Sequence, residues 1–544
     1  MKINIKRNFS VILTTLLIMA CSEQAEIERL KLSFGEEKTI SDVVAVNGGT
    51  IRGIAREGGL HEYLGIPYAA APVGERRWQS PAKLVPWEGE RDSTDFGLPC
   101  YQPNSVSAFY DRSYEEMSED CLTLNVWTAA KKTSDAMPVM IWIHGGALIM
   151  GSGMDYNGAP LARKGVILVT INYRLGPFGF YAHPQLSAEG QGHSGNQGYK
   201  DQIAALKWVQ ENIRQFGGDP NNVTIFGESA GSWSMSVLQA SPLASGLFNK
   251  IIGQSGARFV PLADLKTARW GMPSAEKRGE KLASMFAQTE APDLNALREL
   301  SAESILDGYV ADPATLFDFD ALTIVDGQLL PDEVNTIFDQ GRQADVPVLI
   351  GSNADEATTF DPAIGGLEPV DYVDLHTQFV DVTLGGDKQK IFALYPDSPE
   401  LARDSYIRFN TDANFTQPMR QWADYMGNVS SPAYLYWWNW RPMVNGSDEY
   451  GSFHAAEIAY VFNDFAMFDI DVSDREEAFS ETMMNIWTNF AKNSNPSSKG
   501  IVDWPAYNVD KPMTAILGAE IGLEDGVRSE QVREITAGYN ARRD

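Results

Sequence analysis

The sequence predicts an α/β fold, with a mostly parallel central sheet and helices on both faces. Continuous apolar runs, of the kind that buried central strands require, recur along the chain. Segments whose apolar residues fall at helical spacing lie between those runs. One run, 223–227, leads through a sharp glycine-bounded turn directly into a helical segment. Buried strands that alternate with helices in this way are typical of parallel sheets.

Local patterns predict the individual elements. The expected strands are, in chain order, 60–68, 122–127, 138–143, 166–171, 223–227, 250–256, 346–350 and 434–440. Apolar residues at 203, 206, 209 and 213 predict a helix that ends before Gly217. A later helix is expected around 481–491, followed by a C-terminal tail. The segments 261–340 and 360–430 are helical and polar in pattern, which predicts insertions over the rim of the sheet.

Length and charge restrict the class of protein. A chain of 544 residues, 44% of them hydrophobic, is long enough to bury a large core. Its 44 basic residues against 72 acidic residues give a net charge of −28. A surface this acidic argues against nucleic acid and anionic lipid as partners.

The N-terminus is expected to direct export. Basic residues precede a short apolar stretch, Val11–Met19, and Leu17-Ile18-Met19-Ala20-Cys21 resembles a bacterial lipobox. We therefore expect a lipoprotein signal peptide over 1–20, a lipidated Cys21, a polar tether over 21–41 and a folded domain over 42–544. The expected location is the periplasm, the outer membrane or the cell surface of a bacterium. The alternative is an ordinary secretory signal with an incidental cysteine.

Cysteine use agrees with export. Apart from Cys21, the chain has only Cys100 and Cys121. In an oxidising compartment these two are expected to form a disulfide; the alternative is a pair of buried thiols.

A candidate nucleophile lies in Gly227-Glu228-Ser229-Ala230-Gly231. With a strand before it and a helix after it, Gly-x-Ser-x-Gly forms a strained turn that exposes the serine hydroxyl above the sheet. The alternative is a chance match, since the five-residue pattern alone is common.

A serine nucleophile needs a base, and the base needs an anion that fixes its tautomer. In sheets of this kind the chain order is serine, then acid, then histidine. Of six histidines only His376 and His454 follow Ser229, and His454 alone follows the last expected strand on a loop. His454 is thus the expected base, whereas His376 is expected to be a packing or surface residue. Asp326, Asp355 and Glu356 remain equal candidates for the acid on pattern alone.

Backbone N–H groups are expected to stabilise the developing oxyanion. His144-Gly145-Gly146-Ala147 follows the strand 138–143, and residues with little or no side chain there allow amides to approach a substrate. The N–H of Ala230, directly after the serine, completes the expected set.

Several longer motifs resemble one family. They are Phe226–Gly231, Glu119-Asp120-Cys121-Leu122-Thr123-Leu124-Asn125-Val126-Trp127, Asn172-Tyr173-Arg174-Leu175-Gly176, Phe216–Pro220 and Trp487-Thr488-Asn489-Phe490-Ala491-Lys492. From about residue 42 to 510 the chain resembles the type-B carboxylesterases, an α/β-hydrolase group that includes carboxylesterases, bile-salt lipases and cholinesterases. The resemblance implies an α/β-hydrolase fold with helical insertions over the active site.

The resemblance also implies roles for single residues. The acid maps to Glu356, and the base to His454 in His454-Ala455-Ala456-Glu457. The oxyanion donors map to Gly146, Ala147 and Ala230, and the early disulfide to Cys100–Cys121. Glu228 and Ser255 match positions that support the site.

Two departures from the family pattern concern specificity. The cysteine loop, 101–120, has no tryptophan of the kind that cholinesterases use for a cationic group. Ala147 replaces the third glycine of the oxyanion loop, but its amide is retained.

The expected function is therefore a serine carboxylic ester hydrolase that acts on small-molecule esters through an acyl-enzyme intermediate. No metal, organic cofactor or nucleic acid is expected as a partner. Contact with a membrane is expected only through the N-terminal lipid. The alternatives are a lipase, amidase or acyl transferase with the same site, and a non-catalytic binding protein on the same fold.

Overall fold

The structure, a computed structural model, describes residues 39–543 apart from 104–112, 313–315, 317, 365–368 and 499–500. The expected signal peptide, Cys21 and most of the expected tether lie outside the described residues. The first described strand begins at Thr39, slightly before the expected start of the domain.

One large sheet organises the described residues. The strands are β1 (Thr39–Val46), β2 (Gly49–Arg56), β3 (Leu60–Pro67), β4 (Glu90–Asp92), β5 (Thr123–Thr128), β6 (Met137–Ile143), β7 (Ile167–Ile171), β8 (Gly218–Glu228), β9 (Lys250–Gln254), β10 (Ala263–Asp264), β11 (Ile324–Val325), β12 (Val348–Asn353), β13 (Ala433–Trp438), β14 (Met513–Leu517) and β15 (Gly522–Asp525). Within this part of the chain, thirteen strands form a sheet in the order β1-β2-β3-β5-β7-β6-β8-β9-β12-β13-β14-β15, with β4 beside β2. The small pair β10 and β11 is separate.

The centre of the sheet is parallel, as the sequence predicts. All pairs from β7 to β14 are parallel. The pairs at both edges are antiparallel apart from β2 with β4, which is parallel. The carboxyl ends of the central strands lie side by side, because Ile143 of β6 pairs with Gly227 of β8 and Gly227 pairs with Gly253 of β9. Loops that follow these strands therefore meet at one edge.

Helices cover both faces of the sheet. They are α1 (Ala159–Arg163), α2 (Gly176–Gly179), α3 (Pro184–Glu189), α4 (Gln197–Asn212), α5 (Ala230–Ala240), α6 (Ala275–Ala287), α7 (Leu294–Glu299), α8 (Ala302–Val310), α9 (Val334–Asp339), α10 (Tyr372–Thr383), α11 (Gln389–Leu394), α12 (Ala402–Thr411), α13 (Gln417–Tyr425), α14 (Ala456–Phe462), α15 (Asp474–Asn493) and α16 (Ser529–Arg543). A π-helical turn, Asp412–Thr416, connects α12 to α13.

Two apolar clusters explain the two covered faces. Successive side chains of a strand point to opposite faces. In β6, Ile141 and Ile143 join one cluster, which includes residues of α4 and α5. Met140 and Trp142 join the other cluster, which includes residues of α14 and α15. The continuous apolar run of β6 is thus buried on both sides, as a central parallel strand requires.

The segments 261–340 and 360–430 carry α6–α9 and α10–α13. The expectation of a C-terminal tail after 481–491 was wrong, because β14, β15 and α16 follow. β14 has only five residues, and α16 is mostly polar, with Val532 and Ile535 as its buried apolar residues. Short or polar elements of this kind have too weak a period to predict from pattern alone.

Candidate active site

Ser229 lies on the turn between β8 and α5. Its backbone has φ 55° and ψ −121°, in a region that residues other than glycine rarely adopt. The Ser229 N–H donates to the carbonyl of Gln254, 2.8 Å away, which ties the turn to the end of β9. The strained elbow predicted from the serine motif is therefore present.

The glycines of the motif allow the turn to pass close to β6. A Cβ atom on Gly227 would lie 2.6 Å from the carbonyl oxygen of Ile143, and one on Gly231 only 2.1 Å from it. On the facing loop, a Cβ atom on Gly145 would lie 2.8 Å from the backbone oxygen of Glu228. Side chains at these three positions would push the serine turn away from the strand end.

The expected oxyanion loop turns back over the serine. Gly146 has φ 91°, and Ala147 and Leu148 also have positive φ. The Gly146 carbonyl accepts hydrogen bonds from the N–H groups of Ile149 and Met150. Among the described residues, no protein acceptor is found for the N–H groups of Gly146, Ala147 and Ala230. Ala230 is also the first residue of α5, whose N-terminus carries partial positive charge.

His454 and Glu356 form a buried pair. His454 Nδ1 lies 2.6 Å from Glu356 Oε2, and both side chains are almost fully buried. The other oxygen of Glu356 accepts a hydrogen bond from the backbone N–H of Asn353, 2.7 Å away. An Nδ1–H that donates to a carboxylate fixes the tautomer in which Nε2 carries the lone pair that a base needs.

The other acid candidates have different partners. Asp355 Oδ2 accepts from the N–H of Ser452, 2.9 Å away, and so joins its loop to the loop that carries His454. Asp326 accepts from the N–H groups of Gln328 and Leu330 in a turn. His376 lies buried in α10, where its ring bonds to the carbonyl of Tyr395. Of the three acid candidates, Glu356 is therefore the one that pairs with His454.

Three carboxylates surround His454. Glu228 Oε1 lies 3.1 Å from His454 Nε2. Burial lowers the pKa of His454, but the negative charges of Glu228 and Glu356 outweigh it and raise this pKa to about 9. Burial and the charge of Glu356 raise the pKa of Glu457 to about 7. Glu457 is held by the side-chain amides of Asn353 and Gln254, at 2.6 and 3.1 Å.

Two aromatic residues that the sequence did not single out pack on His454. The ring of Phe415 lies 4.7 Å and that of Phe360 5.3 Å from the imidazole ring. Phe415 belongs to the π-helical turn. Nothing in the sequence distinguishes these two from the other phenylalanines of the chain.

These residues border one cavity of about 870 Å³. Ser229, His454, Glu228, Gly146 and Ala147 all line it. Glu356, which pairs with His454, and Ala230 are both fully buried. Ser255 is also buried; it lies after β9 with φ 58° and no hydrogen-bond partner for its hydroxyl among the described residues. The remaining walls come largely from the two inserted segments and α16.

The predicted disulfide between Cys100 and Cys121 is confirmed. In the part of the chain that the structure describes, no group of three or more His, Cys, Asp or Glu residues has the arrangement of a metal site. No described helix is both long and apolar enough to cross a membrane.

A mostly parallel sheet with a serine elbow after one strand, and a carboxylate and a histidine on loops after later strands, defines the α/β-hydrolase class. Comparison with known proteins specifies the family: its description is "Carboxylesterase family", and its model matches residues 40–534. The chain belongs to this carboxylesterase family.

Similar proteins are found among characterised relatives. A para-nitrobenzyl esterase from Bacillus subtilis is 35% identical, over 91% of this chain and 98% of the relative. A liver carboxylesterase from Sus scrofa is 33% identical, over 82% of this chain and 84% of the relative. A fumonisin B1 esterase from Sphingopyxis macrogoltabida is 32% identical, over 88% and 87% of the two chains.

Solved structures agree. A PNB esterase has a TM-score of 0.78 at 34% identity, covering 91% of this chain and 99% of its own. A carboxylesterase from Geobacillus stearothermophilus has a TM-score of 0.79 at 31% identity, covering 91% of this chain and all of its own. The expected fold and activity are confirmed: the protein is an α/β-hydrolase and a carboxylesterase, a serine hydrolase that acts on small-molecule carboxylic esters.

Proposed function

We propose that Ser229, His454 and Glu356 form the catalytic triad of this carboxylesterase. The observation that carries the proposal is the buried 2.6 Å contact between His454 and Glu356, with His454 lining the same cavity as Ser229. Glu356 fixes the tautomer of His454 and stabilises the imidazolium that forms during the reaction.

The first half of the reaction forms an acyl-enzyme. His454 Nε2 takes the proton of the Ser229 hydroxyl while the serine oxygen bonds to the ester carbonyl carbon. The carbonyl oxygen becomes an oxyanion, which the N–H groups of Gly146, Ala147 and Ala230 stabilise. The carbon–oxygen bond to the alcohol then breaks, and His454 returns the proton to the departing alcohol.

The second half repeats the steps with water. Water attacks the acyl carbon, His454 takes its proton, and the acid product leaves as the serine hydroxyl is restored. None of these steps uses a metal ion or an organic cofactor.

The proposed substrates are small esters that fit the cavity. The relative named para-nitrobenzyl esterase supports aryl and benzyl esters as first test substrates. The absence of tryptophan from the sequence of the cysteine loop argues against choline esters.

The protein is further proposed to be an exported bacterial lipoprotein, anchored through Cys21 in the periplasm, at the outer membrane or at the cell surface. The lipobox-like sequence Leu17–Cys21 supports this location. The Cys100–Cys121 disulfide fits an oxidising compartment.

Replacing the proposed nucleophile tests the triad. Ser229→Ala should lower kcat for nitrophenyl acetate by at least about a thousand-fold, because it removes the oxygen on which the acyl-enzyme forms. Thermal unfolding of the variant should match that of the parent, since the elbow is kept by its glycines. The measurement is the rate of nitrophenol release under saturating substrate.

Ser234→Ala is the matched control for that experiment. Ser234 is a buried serine of α5, the helix that follows Ser229. Its hydroxyl donates to the Ala230 carbonyl and accepts from the Gln202 side chain, and it does not line the cavity. Its replacement should keep kcat within about three-fold of the parent value. A Ser229→Ala protein that still hydrolysed the ester would refute the assignment.

A further inference from the structure

A row of side-chain amides forms part of the cavity wall. The inserted segment α12–α13 presents Asn410, Asn414, Gln417 and Gln421 at helical spacing, and all four line the cavity. We call these four residues the amide row. The rest of the wall combines apolar residues such as Phe360 with the charged residues Glu228, Arg258, Asp318 and Arg542, whereas the row is polar and uncharged.

The amide row is partly satisfied by its own hydrogen bonds. Asn414 Nδ2 donates to Asn410 Oδ1 at 2.6 Å, and Gln417 Nε2 donates to Gln421 Oε1 at 3.0 Å. Gln417 Nε2 also lies 3.1 Å from the hydroxyl of Thr536 on α16. These contacts hold the amide groups in fixed orientations.

Two acceptors of the row are left over. A side-chain amide carries two N–H donors and a carbonyl oxygen. Among the described residues, no donor is found for Asn414 Oδ1 or Gln417 Oε1. A ligand that supplies an N–H or O–H group at this wall would satisfy them.

One member of the row, Asn414, is the chain neighbour of a residue that contacts the proposed base. The histidine that takes the serine proton returns it to the leaving alcohol, so the alcohol part of an ester lies beside His454. Phe415, which contacts His454, directly follows Asn414 in the chain. An alcohol part longer than a few atoms would therefore extend along the amide row.

The partners of the row indicate an uncharged ligand group. The side chains that Gln417 and Gln421 contact are those of Thr536, Asn335 and Tyr425, all uncharged. The charged residues of the cavity wall, Glu228, Arg258, Asp318 and Arg542, lie outside the row. A charged group placed against the row would lose hydration without an opposite charge there, which costs far more than burial of a neutral donor.

On these grounds, and resting on the proposed triad, we propose that the enzyme prefers esters whose alcohol part carries an uncharged hydrogen-bond donor, an amide N–H or a hydroxyl. Asn414 and Gln417 are the specificity-determining residues, since their free carbonyl oxygens accept that donor.

Three acetate esters test the preference. The first has a hexyl alcohol part with a terminal acetamide, the second carries the same acetamide methylated on nitrogen, and the third is a hydrocarbon of the same length and branching. Proton release measured in a pH-stat gives kcat/KM for each ester. The parent enzyme should prefer the first ester over the other two by about three- to ten-fold, the range for one hydrogen bond.

Variants of the amide row then assign the preference. Asn414→Leu and Gln417→Met should each reduce the ratio of the first to the third ester by about three- to ten-fold. Gln417 is buried and Asn414 is exposed, so the two substitutions differ in their risk of misfolding. If one variant does not fold, the ratio measured in the other decides the matter. Gln378→Met is the control: this exposed amide of α10 bonds to Asp374 and does not line the cavity, so the ratio should stay at the parent value.

The outcomes separate this inference from the proposed function. Equal kcat/KM values for the three esters, or a ratio unchanged in both row variants, would overturn the inference alone, provided that Ser229→Ala abolishes hydrolysis. If Ser229→Ala retains hydrolysis, the proposed triad fails first.

Discussion

A carboxylate oxygen of Glu228 lies beside Nε2 of His454, the nitrogen proposed to take the serine proton. His454 must be neutral to take the serine proton, yet the charges of Glu228 and Glu356 raise its pKa to about 9 against burial, from an ordinary value of 6.5. A base with a raised pKa is neutral only at higher pH. We therefore expect kcat/KM to rise with pH through the interval between these two values.

Glu228→Gln should move that pH profile toward lower pH by about one unit, because it removes one of the three negative charges that favour the imidazolium. The measurement is kcat/KM of a base-stable ester across the pH range. Glu476→Gln provides the control, since Glu476 is equally buried but bonds to Trp440 and Tyr460. Identical profiles for the parent and Glu228→Gln would contradict this account.

At the residue scale the sequence predicts the parts of the site that have a local signature. Ser229 has its glycine motif, and His454 its place after the last expected strand. The choice between Asp355 and Glu356 could not be made from spacing, because both follow β12 and only three-dimensional direction separates their partners. Phe415 and Asn414 could not be predicted either, because nothing in a helix pattern says which side faces a cavity.

At the element scale, α16 depends on an ion pair with the π-helical turn. Arg528, directly before α16, bonds through its guanidinium to Asp412, which is almost fully buried and also accepts from the hydroxyl of Tyr395. Since Arg528 is about a quarter exposed and Asp412 is not, removing the arginine leaves a buried charge without its cation.

Arg528→Met should therefore lower the free energy of unfolding by about 3 kcal/mol, the lower end for breaking a buried pair. The matched control is Arg533→Met, on α16 itself. Arg533 is two-thirds exposed and contacts Glu530 and Glu534 at the surface, so its loss should cost about 0.5 kcal/mol or less. Denaturant unfolding measures both, and equal losses would refute the role of the pair.

The elements themselves were predictable to different degrees. Each expected central strand coincides with a strand of the sheet, because burial on both faces produces an uninterrupted apolar run. β14, β15 and α16 were not predicted, because their stability comes from neighbours: β14 pairs with β13, and α16 packs through few apolar residues. The order of the strands in the sheet could not be predicted either, because it depends on tertiary contacts.

At the scale of the whole molecule, the acidic surface and a lipidated Cys21 would have opposite effects on membrane binding. A net charge of −28 repels anionic lipid, so membrane attachment would rest on the acyl chains of Cys21. Cys21→Ser, expressed in a bacterial host that processes lipoproteins, should move the enzyme from the membrane fraction to the soluble exported fraction.

Its specific activity should be unchanged in that experiment, since the cavity lies in the folded domain. Fractionation followed by an ester assay measures both properties, with the unsubstituted chain as reference. A wild-type chain found in the soluble fraction would contradict lipid anchoring, and an inactive Cys21→Ser protein would contradict the independence of the two.

The link between Asp355 and Ser452 has a consequence for motion. It joins the loop of Glu356 to the loop of His454, and a second link runs from the Asn353 side chain to the Phe453 carbonyl at 2.8 Å. Because two hydrogen bonds join the loops, we expect the acid and the base to move together, so that the distance between Glu356 and His454 stays constant.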